Sequence, residues 1–171
     1  WVFVQQLRMD YDVREVPMTT DKIDGDIGVV VLVDPANIED SAQFALDQFV
    51  LRGGKLIAFV DPKSVVAEHF SGQQMQNPMT RSQPNMINPS STLKKLFTAW
   101  GVGFDSEQIV VDMAYRANMG GRQNPTAIML NQKAFNQDDR LTKDLNSMFM
   151  LTAGSFSIAK TDGIQATTLV S

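Results

Sequence analysis

Cysteine is absent from the 171 residues and histidine occurs once, so several kinds of site are excluded at the outset. Without cysteine the chain has no disulfide, no thiolate metal ligand and no cysteine nucleophile. A single histidine, His69, rules out zinc sites built from several histidines. The motif Gly-x-Ser-x-Gly does not occur, and we interpret His69 as structural rather than as part of a serine triad. The sequence therefore predicts no catalytic residue, no metal site and no cofactor.

A long hydrophobic run and an excess of basic charge are also missing. No stretch of about 20 apolar residues, the length that crosses a bilayer, is present. The chain has 15 lysines and arginines against 19 aspartates and glutamates, which gives a net charge of -4. Because phosphate binding needs a basic face, this charge argues against a nucleic-acid partner. The chain opens at Trp1 without a signal-peptide pattern, and we interpret it as a domain of a longer protein.

The residues that are present predict a folded core with a strand–helix–strand unit near its start. Hydrophobic residues make up 43% of the chain and charged residues 20%. Two continuous apolar runs, 27–33 and 55–60, predict parallel strands covered on both faces. A helical pattern over 37–52 lies between them and ends at the pair Gly53-Gly54. This order is typical of a βαβ unit.

The other periodic segments extend this pattern along the chain. Helices are predicted at 1–9, 93–100 and 140–150, strands at 11–16, 108–113, 126–130, 155–159 and 166–170, and a loop at 115–124. We therefore predict one α/β domain over 1–171 with a doubly wound, mostly parallel sheet. Because such sheets normally begin with a strand, we expect the first strand to be missing from this chain. The segment 71–91 is rich in Gln, Asn, Pro and Ser, and predicts a long loop that is either a flexible insertion or functional.

Two aspartates follow the predicted buried strands and are candidate ligand-binding residues. Asp34 and Asp61 each stand just beyond the carboxyl end of a strand, at the edge where open α/β sheets bind ligands. Each is followed by proline, so the alternative is that Asp caps the next backbone amides while the proline fixes a turn. Pro62 is included with Asp61 for this reason. Arg122, after a pair of glycines, offers a guanidinium group to an anion. The candidate binding residues are therefore Asp34, Asp61, Pro62 and Arg122.

The segment around these aspartates resembles a known family. The run DQFVLRGGK at 47–55, followed by FVDP at 59–62, is similar to the gliding-motility-type auxiliary component of ABC transport systems, the GldG-like family. The similarity is clearest over 1–62. It continues more loosely through 93–111 and 151–154.

This resemblance implies a location, partners and a fold. It implies a periplasmic or otherwise extracytoplasmic domain of an inner-membrane protein, anchored by helices outside this chain. The implied partners are the permease and ATPase subunits of the same ABC transport system. The chain also resembles the class I glutamine amidotransferases, which have a flavodoxin-like sheet. Their nucleophilic cysteine follows the strand that matches 56–60, where this chain has Asp61 and Pro62, so amidotransferase activity is not expected.

We therefore expect a non-enzymatic auxiliary domain of an ABC-type export or motility system. It would bind a transported ligand or a partner subunit through the carboxyl edge of its sheet and the 71–91 loop. Two alternatives stay open. The first is a receptor module that binds a solute or a glycan, and the second is a hydrolase with an active site built on Asp61.

Overall fold

The computed structural model describes residues 2–64 and 93–171. The helices in these stretches are α1 (Val2–Asp10), α2 (Asp40–Leu51) and α3 (Lys94–Trp100), with a short 3-10 helix at Gln132–Ala134. The strands are β1 (Val29–Val33), β2 (Lys55–Phe59), β3 (Val102–Phe104), β4 (Arg116–Met119), β5 (Arg122–Asn131), β6 (Ser147–Leu151) and β7 (Phe156–Ile158). The predicted 71–91 loop and His69 lie outside the described residues.

The predicted βαβ unit is confirmed. β1 and β2 pair in parallel, with Val29 opposite Lys55 and Val33 opposite Phe59. α2 connects them, and Gly53 follows it with a φ of 92°. Glycine adopts this left-handed conformation without strain, which lets the chain turn directly from the helix into β2. The unit therefore places the carboxyl ends of β1 and β2 at one edge.

Among the described residues, the β1–β2 pair is covered on one face and its other face is partly exposed, so the prediction of cover on both faces is wrong. Val30 and Leu32 are buried among the side chains of α2. Val31, which points to the opposite face, is 37% exposed, and its partner Ile57 is 48% exposed. An unbroken run of valines carries no alternation, so its sequence does not distinguish one covered face from two.

The predicted doubly wound, mostly parallel sheet is also wrong, and with it the flavodoxin-like and amidotransferase-like fold. Among the described residues β1–β2 is the parallel sheet, whereas β3–β7 and β4–β5–β6 are antiparallel. After α3, Gly101 takes a φ of 68° and leads straight into β3. β4 and β5 are joined by a two-residue turn, which is too short for the crossover that parallel neighbours need. The fold therefore combines one βαβ unit with antiparallel sheets.

The predicted loop at 115–124 is a β-hairpin. β4 and β5 pair with Met119 opposite Arg122. Gly120 and Gly121 form the two-residue turn with φ of 60° and 82°. A two-residue type I′ turn requires a positive φ at both central positions, and its twist matches that of the paired strands. The glycine pair is thus explained by the hairpin.

The predicted helix at 140–150 is a series of turns followed by β6. The side chain of Asp139 accepts a hydrogen bond of 2.8 Å from the amide of Leu141, which closes a local turn. From residue 147 the chain pairs with β5, with Met129 opposite Phe149. The apolar residues in this segment have helical spacing, but part of the segment forms a strand. Pairing with β5 outweighs the local preference for a helix.

The remaining strand predictions divide between confirmed and wrong. The strand at 155–159 is confirmed as β7, and that at 126–130 is contained in β5. The segments 11–16 and 108–113 are irregular, and 166–170 contributes one isolated bridge at Val170.

Two clusters of buried side chains stabilise the described part of the fold. The first lies between β1–β2, α2 and α3, and consists of Ile23, Val30, Leu32, Ile38, Ala42, Ala45, Leu46, Phe49, Leu93 and Leu96. The second lies on the β4–β5–β6 sheet and consists of Ile128, Leu130, Ala134 and Phe135. Val60 packs at the border of the first cluster, and Met148 and Met150 at the border of the second.

Polar contacts join α2 to α3 along one face of α2. Asp40 pairs with Lys95, and Gln43 Oε1 accepts a hydrogen bond of 3.1 Å from the backbone amide of Lys95. Asp47 Oδ1 accepts one of 2.9 Å from Trp100 Nε1. Positions 40, 43 and 47 follow helical spacing, so all three side chains reach the same neighbour. These contacts fix α3, which leads into β3 at the candidate site.

Candidate functional site

The structure brings Asp34 and Asp61 to the same edge of the β1–β2 pair. Asp34 follows β1 with a φ of 45°, a left-handed conformation that aspartate tolerates better than most residues. Its amide donates a hydrogen bond of 2.9 Å to the carbonyl of Phe59 and extends the ladder between the strands. Asp61 lies two residues beyond Phe59, near enough for the charge of Asp34 to act on it. Their roles in binding stay predictions.

The Asp61 carboxylate is half-buried and serves in part as a backbone cap. Its Oδ1 accepts a hydrogen bond of 3.0 Å from the amide of Lys63. Burial raises the pKa of Asp61, because a charged carboxylate is less stable away from water. The Lys63 hydrogen bond lowers the pKa, and the negative charge of Asp34 raises it. The Asp61 side chain therefore both accepts a hydrogen bond from the backbone and has a raised pKa.

Pro62 is buried, and the close approach of Gly154 holds it in place. A Cβ atom on Gly154 would lie 3.1 Å from Pro62 Cδ and 2.6 Å from Phe104 Cε2. Glycine is thus required where the turn after β6 meets the loop after β2. The structure assigns Pro62 a packing role at the candidate site.

Thr152 fastens the same two segments by a hydrogen bond. Its hydroxyl lies 3.1 Å from the carbonyl of Lys63 and 2.7 Å from that of Leu151. Its φ is 52°, which is uncommon for a β-branched residue. Strain of this kind persists where surrounding contacts hold the backbone in place. The contacts of Thr152 with the loop therefore help to fix the position of Asp61 relative to β6.

A cleft of about 360 Å³ opens beside Asp61. We call it the Asp61 cleft; it is lined by Val60, Asp61, Phe104, Met148, Phe149, Met150, Leu151, Ala153, Gly154 and Phe156. Among the described lining residues, Asp61 supplies the charged side chain and the others are apolar. The cleft lies where β2, the β3–β7 pair and β6 meet. An apolar concave surface with a few placed polar groups is typical of small-molecule sites.

Three phenylalanines form a cluster at one side of the Asp61 cleft. The rings of Phe104 and Phe156 have centroids 5.2 Å apart. Phe97 of α3 packs edge-on against both, at 6.3 Å from Phe104 and 6.0 Å from Phe156. Edge-on contacts of this kind are favourable because the ring edge is positive and the face negative. The cluster thus joins Phe104 and Phe156, which line the cleft, to α3.

Arg122 does not line the Asp61 cleft. It is exposed at the first position of β5, beside the glycine turn. The four predicted site residues therefore separate: Asp61 lines the cleft, Asp34 and Pro62 lie next to it, and Arg122 belongs to the hairpin. An anion site at Arg122 stays a prediction.

The aromatic and methionine side of the cleft is not predicted from the sequence. Met148 and Met150 were assigned to a helix, and Phe104 to no element. The available signal is the stretch 148–151, four residues with bulky apolar side chains after a polar turn, which also suits a strand. The pairing of Phe104 with Phe156 joins segments far apart in sequence, and no local pattern reports it.

Residues 2–64 and 93–171 contain neither a cluster of metal ligands nor a helix that could span a membrane. In these residues no group of three or more acidic or histidine side chains is arranged to hold a metal ion. None of the helices described there has both the length and the apolar character needed to cross a membrane.

Comparison with known families places the chain in a class. The family model of an ABC-type uncharacterized transport system matches residues 1–171, so the whole chain is covered. The chain belongs to this family, which makes it an auxiliary component of an ABC-type transport system. No curated protein and no solved structure matches the chain.

Proposed function

We propose that this chain is a non-enzymatic, extracytoplasmic domain that binds a small ligand in the Asp61 cleft for its ABC-type transport system. The observation that carries the proposal is a cleft of about 360 Å³ whose described lining is apolar apart from the carboxylate of Asp61. Sites for small ligands have volumes of about 300–1,000 Å³ and this kind of lining. The cleft adjoins the carboxyl edge of β1–β2, where α/β units commonly bind ligands.

The composition of the Asp61 cleft supports binding rather than catalysis. Acyl transfer needs a nucleophile, a base and donors that stabilise an oxyanion. The lining residues described here supply one carboxylate and no hydroxyl, amine or imidazole. Asp34 adds a second negative charge nearby, which would repel a developing oxyanion. A hydrolase built on Asp61 is therefore the less supported alternative.

The finer identity of the system rests on the resemblance and on membership of the family. The similarity of residues 1–62 to the GldG-like family supports a gliding-motility-like transport system. We propose that the single domain over 1–171 lies in the periplasm or another extracytoplasmic space. Segments outside this chain would anchor it to the inner membrane, beside the permease and ATPase. An acidic net charge gives no support for a nucleic-acid partner.

A glycan is less well supported as the ligand of this cleft than a molecule with a large apolar part. Sugars present many hydroxyl groups, and burying them without hydrogen bonds is costly. In the part of the chain that the structure describes, the Asp61 cleft offers one carboxylate and a lining of Phe, Met, Leu and Val side chains. A solute receptor with a less polar ligand remains compatible with this lining.

The proposal is tested by filling the Asp61 cleft. Ala153 lines the cleft, whereas Ala166 is exposed and outside it. We expect native mass spectrometry of the purified chain to detect a bound small molecule, which Ala153→Phe loses and Ala166→Phe retains. Equal retention in both folded variants would contradict ligand binding in this cleft, as would a chain that carries no ligand.

A second experiment tests the partners and the absence of catalysis. The full-length parent, expressed in its own host with an affinity tag, is expected to co-purify with a permease and an ATPase. Failure to recover either subunit under mild detergent would contradict the proposed partners. Turnover of glutamine or a generic ester by the wild-type chain, lost in Asp61→Asn, would overturn the non-enzymatic proposal.

A further inference from the structure

β6 is an edge strand, and one side of it borders the Asp61 cleft. Among the described residues the sheet has the order β4–β5–β6, so β6 pairs with a strand on one side. Its four successive residues 148–151 all line the cleft. Successive side chains of a strand point to opposite faces of the sheet, so a cleft lined by all four runs along the edge of the strand. The backbone of β6 therefore forms part of the cleft wall.

Two hydrogen bonds show which backbone groups of β6 point towards this edge. The amide of Thr152 donates to the carbonyl of Thr126 in β5 at 2.9 Å. On the other side of β5, the amide of Met129 donates to the carbonyl of Tyr115 at 2.7 Å. Along an antiparallel strand, successive residues direct their N–H and C=O groups alternately to the two sides. Phe149, which lies opposite Met129, therefore directs both groups away from β5.

The outward groups along 149–151 are open in the described part of the chain. Leu151 follows Phe149 by two positions, so its amide points the same way. In residues 2–64 and 93–171 no hydrogen bond reaches this amide, nor the amide or carbonyl of Phe149. Further along the same edge, the carbonyl of Ala153 accepts a hydrogen bond of 2.7 Å from the amide of Val110. The edge is thus bonded to another segment at Ala153 and open beside the cleft.

Open backbone groups in an apolar cleft favour a ligand with a peptide backbone. An edge strand accepts an extended peptide because each unpaired N–H and C=O meets its counterpart at the repeat of a strand. An alkyl chain would cover the apolar side chains and leave these groups without hydrogen bonds, which is costly away from water. Met148, Met150 and Phe149 line the cleft beside the edge, and methionine adapts readily to apolar side chains of different shapes.

We propose that the Asp61 cleft binds a short extended peptide with apolar side chains, which pairs with the open edge of β6 as an added strand. This inference rests on the proposed function and names the chemical class of its ligand. It assigns recognition of the peptide backbone to the amide and carbonyl of Phe149 and the amide of Leu151. The apolar lining of the cleft receives the side chains of the peptide.

Two matched peptides test the pairing. The first is acetyl-Thr-Val-Thr-Val-Thr-amide, and the second carries N-methyl groups on its three central amides. N-methylation removes hydrogen-bond donors and adds apolar surface, so a site that recognises apolar groups alone would bind the second peptide at least as tightly. We expect titrations of the 171-residue chain, followed by NMR, to show the first peptide binding at least about tenfold more tightly.

Amide hydrogen exchange locates the pairing at single residues. In the free chain the amides of Met148 and Met150 point to β5 and should exchange slowly, whereas those of Phe149 and Leu151 should exchange fast. Saturation with the first peptide should slow exchange at Phe149 and Leu151 at least about tenfold. The N-methylated peptide at the same concentration is the control and should not slow it.

A proline variant tests the same edge from the side of the protein. Phe149→Pro removes the outward amide and keeps the bonds of the neighbouring residues to β5, since proline is accepted at a strand edge whose N–H is unpaired. It should weaken the first peptide at least about fivefold. Phe149→Leu retains the amide and should weaken the peptide by about twofold or less. The chemical shifts of β5 report whether the sheet is intact, and if it is not, the exchange pattern of the unaltered chain decides.

The outcomes separate this inference from the proposed function. Equal binding of the two peptides, no binding of the first at its highest soluble concentration, or no slowing at Phe149 and Leu151 would each overturn the peptide assignment. If a molecule without peptide bonds co-purifies and only Ala153→Phe displaces it, the ligand-binding function stands and its peptide class fails. If the cleft-filling variant changes nothing, the proposed function fails as well.

Discussion

The hydroxyl of Thr152 donates a hydrogen bond of 3.1 Å to the carbonyl of Lys63. This bond joins the turn after β6 to the loop after β2, two segments whose bonded residues are 89 positions apart in sequence. Both segments contribute to the Asp61 cleft. The bond therefore belongs to the framework that holds the carboxylate of Asp61 opposite the apolar side chains of β6.

Replacing Thr152 tests that framework. Thr152→Val keeps the branched shape and the backbone strain and removes the hydroxyl, so we expect a loss of about 0.5–1.5 kcal/mol of unfolding free energy. Thr152→Ser keeps the hydroxyl and should lose less. Urea unfolding of both variants measures the difference. Equal losses would show that the bond to Lys63 contributes nothing.

Gly154 is expected to tolerate no side chain. A Cβ atom there would meet Phe104 at 2.6 Å and Pro62 at 3.1 Å, so Gly154→Ala should cost about 1–3 kcal/mol and displace the Phe104 ring. Gly25→Ala is the control, because a Cβ at Gly25 meets nothing within 4 Å. Thermal unfolding and aromatic NMR shifts report both effects. Adding Phe104→Leu should recover part of the loss; an unchanged Gly154→Ala protein would refute the close approach.

The side chain of Gln43 caps α3 from a neighbouring helix. Its Oε1 accepts hydrogen bonds from the amides of Lys95, at 3.1 Å, and Leu96, at 3.2 Å. Gln43→Leu leaves those amides without this acceptor and should cost about 1–3 kcal/mol. Gln43→Glu keeps an acceptor at the positive end of the helix and should cost less.

Chemical denaturation of the two Gln43 variants gives the measurement. Gln48→Leu in the same helix serves as the control, because the side chain of Gln48 bonds only to Asp47 among the described residues. Its effect should stay within about 0.5 kcal/mol, as is usual for positions away from buried polar contacts. If Gln43→Leu were no worse than this control, the cap would have no energetic role.

The pH dependence of stability should report the charge of Asp61. Burial and Asp34 raise its pKa in the folded state, so the folded chain binds more protons than the unfolded chain in that pH range. The penalty for the charged form is present above the folded-state pKa and is relieved as the pH falls towards the unfolded value. Asp61→Asn should therefore be more stable than the wild type at neutral pH, with a difference that shrinks on acidification.

Unfolding at a series of pH values checks this sign, with Lys63 and Asp34 present in both proteins. Asp139→Asn controls for replacing a capping aspartate with asparagine. A stability difference that grew on acidification would mean that the folded state lowers the pKa of Asp61. That result would contradict a dominant effect of burial.

The sequence predicted local structure correctly where an apolar run was followed by residues that end a helix or a strand. The strand before Asp34, the helix that ends at Gly53 and the strand before Asp61 are all present, because their apolar runs and stop signals are local. The meeting of Asp34 and Asp61 was also predictable, since parallel strands end at the same edge. The βαβ unit and the acidic side of the candidate site could therefore be predicted from the sequence.

Other parts of the fold depend on pairing that local patterns do not report. The spacing of Leu141, Leu145 and Met148 suits a helix, yet hydrogen bonds to β5 place Met148 in a strand. Phe104 contacts Phe156 because β3 pairs with β7, although the three strands β4, β5 and β6 lie between them in the sequence. The apolar side of the cleft was therefore not predicted. The same non-local pairing replaced the expected parallel sheet with antiparallel ones.

The Asp61 cleft lies between two separately packed groups of side chains, and this has a thermodynamic consequence. Val60 packs against the cluster around α2, whereas Met148 and Met150 pack against the cluster on the β4–β5–β6 sheet. A molecule seated between them binds fully only when both clusters are folded. By linkage, ligand at a hundred times its dissociation constant adds about 2.7 kcal/mol to the state in which both are intact. A bound ligand would thus couple the local unfolding of one cluster to that of the other. The two clusters would then unfold together in one cooperative transition.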